Sequence, residues 1–509
     1  MRNKRFIAML SVFAMLFVGS TASVHAAEFT TNKNGEFWYD SNGLQMDVHG
    51  ASMYEENNTY YLIGEKRVNG TSSYDNEFRG FVCYSSTDLK NWTYENEILA
   101  PDGTILKSTD VATRAKILYN AANNNYVMWF KWKEDGDNNL RKAAYATSDS
   151  VCGNYSFAGA TFGNNGDYVG DPTLFLDDDG KAYLVYSAID SSTSNRRISI
   201  DQLSSDFQSI STHITYTANG REAPNIFKKD NIYYLITSGA SGWNPNQSKY
   251  YTASSLNGPW SAAANFGNAT TYHSQGSDVA VIQGSSSTTY MFVADRWDSS
   301  YLGNSKNIWL PIAFSGTGIS ISNSGQWTID TETGQWSAAD WYDDFESGNA
   351  SNWTVDSGSW SVVNDDTYVY KQARNNIAAV AKAGNSAWTD YSLEVDVKPL
   401  SFNGANAGIN INLRYTDLSN RYFVAITPDA IQLVKRVGGV KTVLQSAPAT
   451  FQTDQIYKVK AEANDDSLKV WLNGSLLMSQ TDSSLSSGQI ALHTYYASSE
   501  FDHISVNLN

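Results

Sequence analysis

Two cysteines, Cys83 and Cys152, are all that 509 residues carry, too few for the disulfide framework of a small stapled domain. Cys83 lies in the apolar run Phe81-Val82-Cys83-Tyr84 and reads as a buried strand residue, with a bridge to Cys152 left open. No His stands near either cysteine to activate a thiolate, and the six His residues show no zinc-ligand spacing. Positive charge is scarce too: 36 Lys and Arg face 52 Asp and Glu, for a formal net charge of −16. Phosphate backbones and anionic membranes both require clustered cations, so no nucleic acid and no membrane is expected as a partner. Past the N-terminus no run approaches the roughly 18 apolar residues that a bilayer crossing needs.

Aromatic residues, by contrast, are abundant. They make up 13% of the chain, with 15 Trp and 31 Tyr, while charged residues reach only 17%. A disordered chain would be poor in aromatics, so this composition predicts an ordered, strand-rich protein. Residues 1–26 read as a secretory leader: Arg2, Lys4 and Arg5, then the apolar stretch Phe6 to Val18, then Val24-His25-Ala26 as a small-residue cleavage site. The expectation is a secreted protein, cut near Ala26.

From about residue 36 to 335 one pattern recurs five times. An aromatic strand follows a polar turn, with Tyr60, Tyr126, Tyr183, Tyr233 and Tyr290 at spacings of 66, 57, 50 and 57 residues. A second strand and a Ser/Thr/Asp turn follow, as in Cys83-Tyr84-Ser85-Ser86-Thr87-Asp88 and Ala144-Tyr145-Ala146-Thr147-Ser148-Asp149. Short strands without helical periodicity indicate an all-β array, and a period near 50 suits a four-stranded blade. Five units predict a five-bladed β-propeller over residues 27–338. Near residue 340 the pattern changes to alternating strands such as Tyr391-Ser392-Leu393-Glu394-Val395-Asp396-Val397. Residues 339–509 therefore read as a β-sandwich. The junction is not rich in Pro or Gly, which suits two domains that pack together.

A propeller gathers its inner strands around one axis, so polar residues distant in sequence meet there. Three acids stand ahead of apolar runs: Asp47, Asp171 in Gly170-Asp171-Pro172-Thr173, and Glu222 in Arg221-Glu222-Ala223-Pro224. Singly each would pass for a solvated loop carboxylate. Together they read as one register of successive blades facing the axis. Convergent carboxylates repel, and repulsion with burial keeps one of them protonated, as a general acid requires.

These motifs resemble glycoside hydrolase family 43. Val48-His49-Gly50-Ala51, Asp171-Pro172-Thr173-Leu174-Phe175, Arg221-Glu222-Ala223-Pro224, Ser274-Gln275 and Asp295-Arg296-Trp297 are similar to its exo-β-1,3-galactanase branch over residues 36–335. The resemblance implies inverting cleavage of plant-wall polysaccharide, with Glu222 as general acid and Asp171 tuning its pKa. It implies that Gln275 positions the attacking water, through an imidic tautomer. Asp47 stands where the branch carries Gln or Asn and is the alternative base. Thr113 replaces a substrate-contacting Glu. Trp243 and Trp297, with Trp129 behind them, are expected to form the sugar platform. His49, Thr113, Arg114 and Arg296 complete the expected binding set, though Arg296 is equally suited to a structural ion pair. This mechanism needs no cofactor.

Asp344-Phe345-Glu346, Leu413-Arg414-Tyr415, Arg421-Tyr422-Phe423 and Phe501-Asp502-His503 make the C-terminal region similar to a concanavalin-like carbohydrate-binding module, family 66. That resemblance implies a sugar site at Arg414, Tyr415, Tyr422 and Tyr495, and structural calcium at Asp344 and Asp502. The expected whole is a secreted, monomeric exo-galactanase acting on plant polysaccharide. An α-L-arabinofuranosidase or β-xylosidase of the same family is the alternative enzyme, and a non-catalytic lectin the alternative of another kind.

Overall fold

The computed structural model describes residues 32–67, 77–136, 140–365 and 367–509. The leader at residues 1–26 and its cleavage point near Ala26 lie outside the described residues. Five antiparallel sheets follow one another along the first part of the chain. Blade I comprises His49–Glu56, Thr59–Glu65, Phe81–Ser86 and Thr93–Leu99, and blade II Val111–Asn120, Asn125–Lys133, Lys142–Ser148 and Ser156–Thr161. Blade III runs through Tyr168–Leu176, Ala182–Ile189, Arg196–Leu203 and Ile210–Thr217. Blade IV has Arg221–Lys229, Ile232–Gly239, Ser248–Ala253 and Ala264–Phe266, and blade V Gln275–Gln283, Thr288–Arg296 and Lys306–Pro311. Each blade's first strand lies beside the next blade's first strand, and that of blade V beside that of blade I. The ring closes, and the all-β propeller is five-bladed. The recurring aromatic strand is the second of each blade, not the first. It is sandwiched between neighbouring blades, which is why it is the most apolar.

Five apolar clusters fill the five wedges between blades, one per wedge. Phe81, Met128 and Phe130 pack between blades I and II, and Trp129, Leu184 and Tyr186 between II and III. Trp309 and Trp327 close the wedge between blades V and I. An aromatic side chain buries roughly 150–250 Å², worth about 4–6 kcal/mol at 25 cal/mol per Å². The two chain ends of the ring are stitched by Asn32–Lys33 pairing with Gln326–Asp330. Asn34 then donates to the carbonyls of Trp309 and Ser324 at 2.7 Å each and accepts from the Trp309 amide at 2.6 Å. Cys83 and Cys152 form a disulfide that ties blade I to blade II.

Beyond residue 340 two larger antiparallel sheets face each other. Their inner faces enclose one core that includes Tyr391, Leu393, Val395, Ile409, Ile411, Tyr422, Val424, Phe501 and Ile504. This is a β-sandwich. It packs against the propeller through charge: Lys33 lies 3.5 Å from Glu394, and Arg296 lies 3.6 Å from Asp344 and 3.4 Å from Glu346. Lys458 reaches back to Glu36, and Ser505 donates to Gln326 at 3.0 Å.

Candidate active site

The inner strands are not regular. Pairing slips between His49 and Ser52, Thr113 and Lys116, Val169 and Pro172, Glu222 and Asn225, and Gly276 and Asp278. A bulge near the start of each inner strand re-aims the side chains around it. Gly50, Arg114 and Ala223 occupy the left-handed region there, with φ of 54°, 61° and 48°. That conformation costs a non-glycine residue about 1–3 kcal/mol and persists where the surroundings enforce it. At Gly50 a Cβ would lie 2.4 Å from Glu65 Oε1, so no larger residue fits. The three acids therefore do not share a register. Glu222 precedes its bulge, Asp171 sits inside one, and Asp47 lies two residues before the first strand's bulge begins.

Around these bulges a hydrogen-bonded chain links every blade. Glu65 of blade I accepts from the Arg114 amide at 2.7 Å. Arg114 Nη2 donates to Gln275 Oε1 at 2.7 Å and its Nη1 to the Gly276 carbonyl at 2.7 Å. Trp297 Nε1 donates to the same Gln275 oxygen at 3.1 Å. Gln275 Nε2 donates to Ser238 Oγ at 2.9 Å and to Glu222 Oε1 at 3.4 Å. Arg196 Nη1 donates to Glu222 Oε2 at 2.8 Å, and Lys131 Nζ to Asp171 Oδ1 at 3.3 Å.

The two carboxyl groups at the centre titrate far apart. Burial first, and the charge of Asp171 second, raise Glu222 from its ordinary 4.5 to about 7, against the pull of Arg196, Lys131 and Arg114. Burial would raise Asp171 as well, but Lys131, Arg114 and Arg196 outweigh it and hold that group down at about 2. One carboxyl thus keeps its proton near neutrality while its neighbour stays ionised, the division of labour of a tuned general acid.

The remaining expected residues fall into three groups. Trp243 and Trp297 meet edge to face at 5.4 Å and border a pocket with Asn244, Pro245, His273, Gln275 and Asp295. Arg114 lies 6.0 Å over the Trp297 ring. Thr113 is buried and its hydroxyl has no hydrogen-bond partner among the described residues. His49 is buried between Asp47, 3.5 Å from Nε2, and Asp295, 3.7 Å from Nδ1, with its ring 6.2 Å from Trp297. Asp47 Oδ1 accepts from the Arg67 amide at 2.7 Å.

Others are displaced from the expected roles. Trp129 is wholly buried in the wedge between blades II and III, donating to the Phe207 carbonyl at 2.8 Å, so it is no sugar platform. The Arg296 guanidinium is taken up by Asp344, Glu346 and the Tyr272 carbonyl, which makes it an interdomain tie. Gln275 is held as a carboxamide: two donors point at its oxygen, so neither a proton nor the imidic form is favoured there. Arg414 is buried, bonded to the carbonyls of Thr389 and Leu485 and to Asp390. Tyr422 faces the sandwich core with its hydroxyl on Asp482. Tyr415 is buried on the opposite face and only Tyr495 is exposed, so the four cannot form one sugar site.

Asp344 and Asp502 do not fit a calcium ion. Asp344 faces Arg296, and Asp502 lies 3.3 Å from the His503 ring and accepts from Thr367 at 3.1 Å. Burial raises Asp502 to about 7 against the pull of the His503 charge, with the charges of Asp344 and Asp396 adding to the rise. Lys131, Arg196, Glu65 and Ser238 escaped the sequence reading. Lys131 left one signal, a lone charge within the aromatic run Val127-Met128-Trp129-Phe130-Lys131-Trp132. Arg196 left none, because it reaches the site from a third strand.

Residues 43–277 match the family described as Glycosyl hydrolases family 43. The propeller is a family 43 glycosyl hydrolase domain. Residues 340–507 match a 3-keto-alpha-glucoside-1,2-lyase-like domain. An exo-β-1,3-galactanase from Phanerochaete chrysosporium, solved with galactose, is similar over 94% of this chain and 100% of its own, at 25% identity and a TM-score of 0.61. A variant of that enzyme holding β-1,3-galactotriose superposes with a TM-score of 0.62, again at 25% identity over 94% of this chain and 100% of its own. A family 43 β-1,3-galactosidase with galactodeoxynojirimycin matches 57% of this chain and 98% of its own, at 29% identity and a TM-score of 0.52. A levanase of Bacillus subtilis (strain 168) is 26% identical over 159 residues, 31% of this chain and 23% of the levanase. The similarity thus spans about a quarter of the length of that curated relative. The family 43 domain carries the Glu222 and Asp171 carboxyls at its centre, the sandwich outside it.

Proposed function

We propose that this protein is a secreted, inverting exo-glycosidase that removes terminal galactose from β-1,3-galactan. The observation that carries the reading is the Glu222–Asp171 pair, one carboxyl protonated near neutrality beside one held ionised. Glu222 protonates the leaving glycosidic oxygen as the bond to the terminal sugar breaks. Asp171 keeps that proton in place until it is needed, and Arg196 orients the carboxyl by its hydrogen bond to Oε2. The galactose- and galactotriose-bound relatives support galactan as the substrate, and the tryptophan pair at 243 and 297 suits stacking against a pyranose ring.

Inversion requires a second group that takes a proton from water on the opposite face, in general about 6.5–9.5 Å from the acid. Gln275 lies 3.4 Å from Glu222 and its nitrogen carries two hydrogens, both donated, so it has no lone pair for a proton. We therefore assign water activation to Asp47 and the steadying of Glu222 to Gln275. The sandwich is assigned the holding of polymer beside the propeller.

Glu222→Gln is the deciding variant. It should abolish galactose release from β-1,3-galactan while leaving galactotriose binding intact, and NMR of the parent reaction should first show α-galactose. Undiminished turnover in Glu222→Gln ends the proposal. Asp47→Asn, assayed alongside, should lose activity that azide restores as a surrogate nucleophile; full activity there removes Asp47 from the mechanism.

A further inference from the structure

Two residues of the active site, Gln275 and Trp297, stand beside residues that the sandwich grips. Gln275 comes just after the segment Thr271-Tyr272-His273, and Trp297 directly follows Arg296. The two segments are neighbours, because Gln275 pairs with Asp295 across blade V. Three successive side chains then part company. Asp295 turns into the ring and accepts from the Gly50 amide at 3.1 Å, and Trp297 donates to Gln275 Oε1 at 3.1 Å. Arg296, between them, turns outward to the sandwich.

One buried carboxylate of the sandwich meets both segments. Glu346 Oε1 lies 3.4 Å from Arg296 Nη1, and its Oε2 lies 4.0 Å from His273 Nδ1. Its own domain fixes it, since Oε1 accepts from the Tyr368 amide at 3.1 Å. The Tyr368 ring meets the His273 ring edge to face at 5.7 Å. Arg296 Nη2 donates to the Tyr272 carbonyl at 3.2 Å and so joins the two propeller segments. Arg296 Nε is buried without a hydrogen-bond partner among the described residues, which leaves the guanidinium held through its Nη groups.

The segment ahead of Gln275 needs holding. Thr271, Tyr272 and His273 are successive residues in the left-handed region, with φ of 53°, 55° and 53°. That region is unfavourable for each of them, and the conformation persists where the surroundings enforce it. Thr271 is fixed from within the propeller, its hydroxyl donating to the Asn246 carbonyl at 2.8 Å and accepting from the Ser248 amide at 2.7 Å. The Tyr272 carbonyl and the His273 ring are taken up by Arg296, Glu346 and Tyr368. The pocket bordered by Trp243, His273, Gln275 and Trp297 is thus braced from behind by the second domain.

We propose that Glu346 is a positioning residue for the active site of the propeller: through Arg296 and His273 it sets Trp297 and Gln275, and Gln275 steadies Glu222. This rests on the reading of Glu222 as the general acid, and gives the sandwich a part in the reaction besides the holding of polymer. Gln275 is also held from its other side by Arg114, so losing the brace loosens it without freeing it.

The test is a set of full-length variants, each read by kinetics on β-1,3-galactotriose and by the indole N–H resonances of isotope-labelled tryptophan. Trp297→Phe identifies one signal, and Trp129→Phe a second from a wedge remote from the boundary. Glu346→Ala should shift the Trp297 signal, leave that of Trp129 in place, and lower kcat/KM about tenfold or more. Glu346→Gln, which keeps an oxygen toward Arg296, should restore most of the activity. Should Glu346→Ala fail to fold, Arg296→Lys replaces it, because lysine keeps the charge but lacks the fork that spans Glu346, Asp344 and Tyr272. Ser505→Ala gives up a different interdomain hydrogen bond, 3.0 Å to Gln326, and should change neither readout. An unmoved Trp297 signal in the folded Glu346 or Arg296 variant overturns the inference, as does a shifted signal with kcat/KM unchanged. Equal losses in Ser505→Ala overturn it too, since any weakened docking would then suffice. If the parent releases no galactose, the proposed activity falls, and the Trp297 signal still decides whether Glu346 holds that residue.

Discussion

Replacing Asp171 by Asn removes a charge and almost no volume, which isolates its electrostatic role. Glu222 stands at about 7 instead of 4.5, with burial as the first cause and Asp171 as the second. In Asp171→Asn the burial remains, but the repulsion is gone and Lys131, freed from its 3.3 Å contact, pulls the same way as Arg196. The Glu222 pKa should fall by at least about one pH unit, or 1.4 kcal/mol. At pH 7 its protonated fraction then drops from about half to about one-tenth or less. The measurement is kcat/KM for β-1,3-galactotriose between pH 4 and 9, where the alkaline limb reports the general acid of the free enzyme. It should move to lower pH, so activity is lost at pH 7 and largely regained near pH 5. A limb that stays in place, with activity lowered equally at every pH, would refute the argument that Asp171 works through its charge.

Removing the opposing influence should do the reverse: Arg196→Met takes away the cation at 2.8 Å and moves the alkaline limb upward, together with a lower kcat from the disordered carboxyl. The two tryptophan classes should separate cleanly. Trp129→Phe lowers the unfolding midpoint by about 2 kcal/mol of stability with KM unchanged, whereas Trp297→Phe raises KM for galactotriose. Substituting both Cys83 and Cys152 by Ala opens a loop 69 residues long, which chain entropy values at about 4 kcal/mol, read as a lowered denaturant midpoint. At the domain boundary, burial would lower His503, but Asp502, Asp396 and Glu36 raise it to about 9. A His raised above its ordinary 6.5 stabilises fully below that pH, and the contribution is lost as pH rises through 9. His503→Gln should therefore lower the melting temperature at pH 6 and leave it nearly unchanged at pH 10.

Much of the architecture is local and periodic, and the sequence alone determines it. The returning aromatic strands at Tyr60, Tyr126, Tyr183, Tyr233 and Tyr290 mark five blades because each must bury both faces between neighbours. Glu222 and Asp171 are legible for a similar reason: each stands one or two residues before a Pro, at the head of an apolar strand. What only the tertiary structure decided is how side chains from different blades meet. Trp129 and Trp297 look alike as residues, yet one fills a wedge and the other donates to Gln275, because Trp129 lies within Asn125–Lys133, covered by blades on both sides, while Trp297 stands one residue past the end of Thr288–Arg296. Asp171 escapes the register of Glu222 because a bulge inserts residues that no periodicity announces. Arg296 is drawn from the sugar to the sandwich by Asp344 and Glu346, acids that lie about fifty residues further along the chain. Charge pairing across a domain boundary depends on distance in space, and a linear pattern of residues carries no measure of that distance.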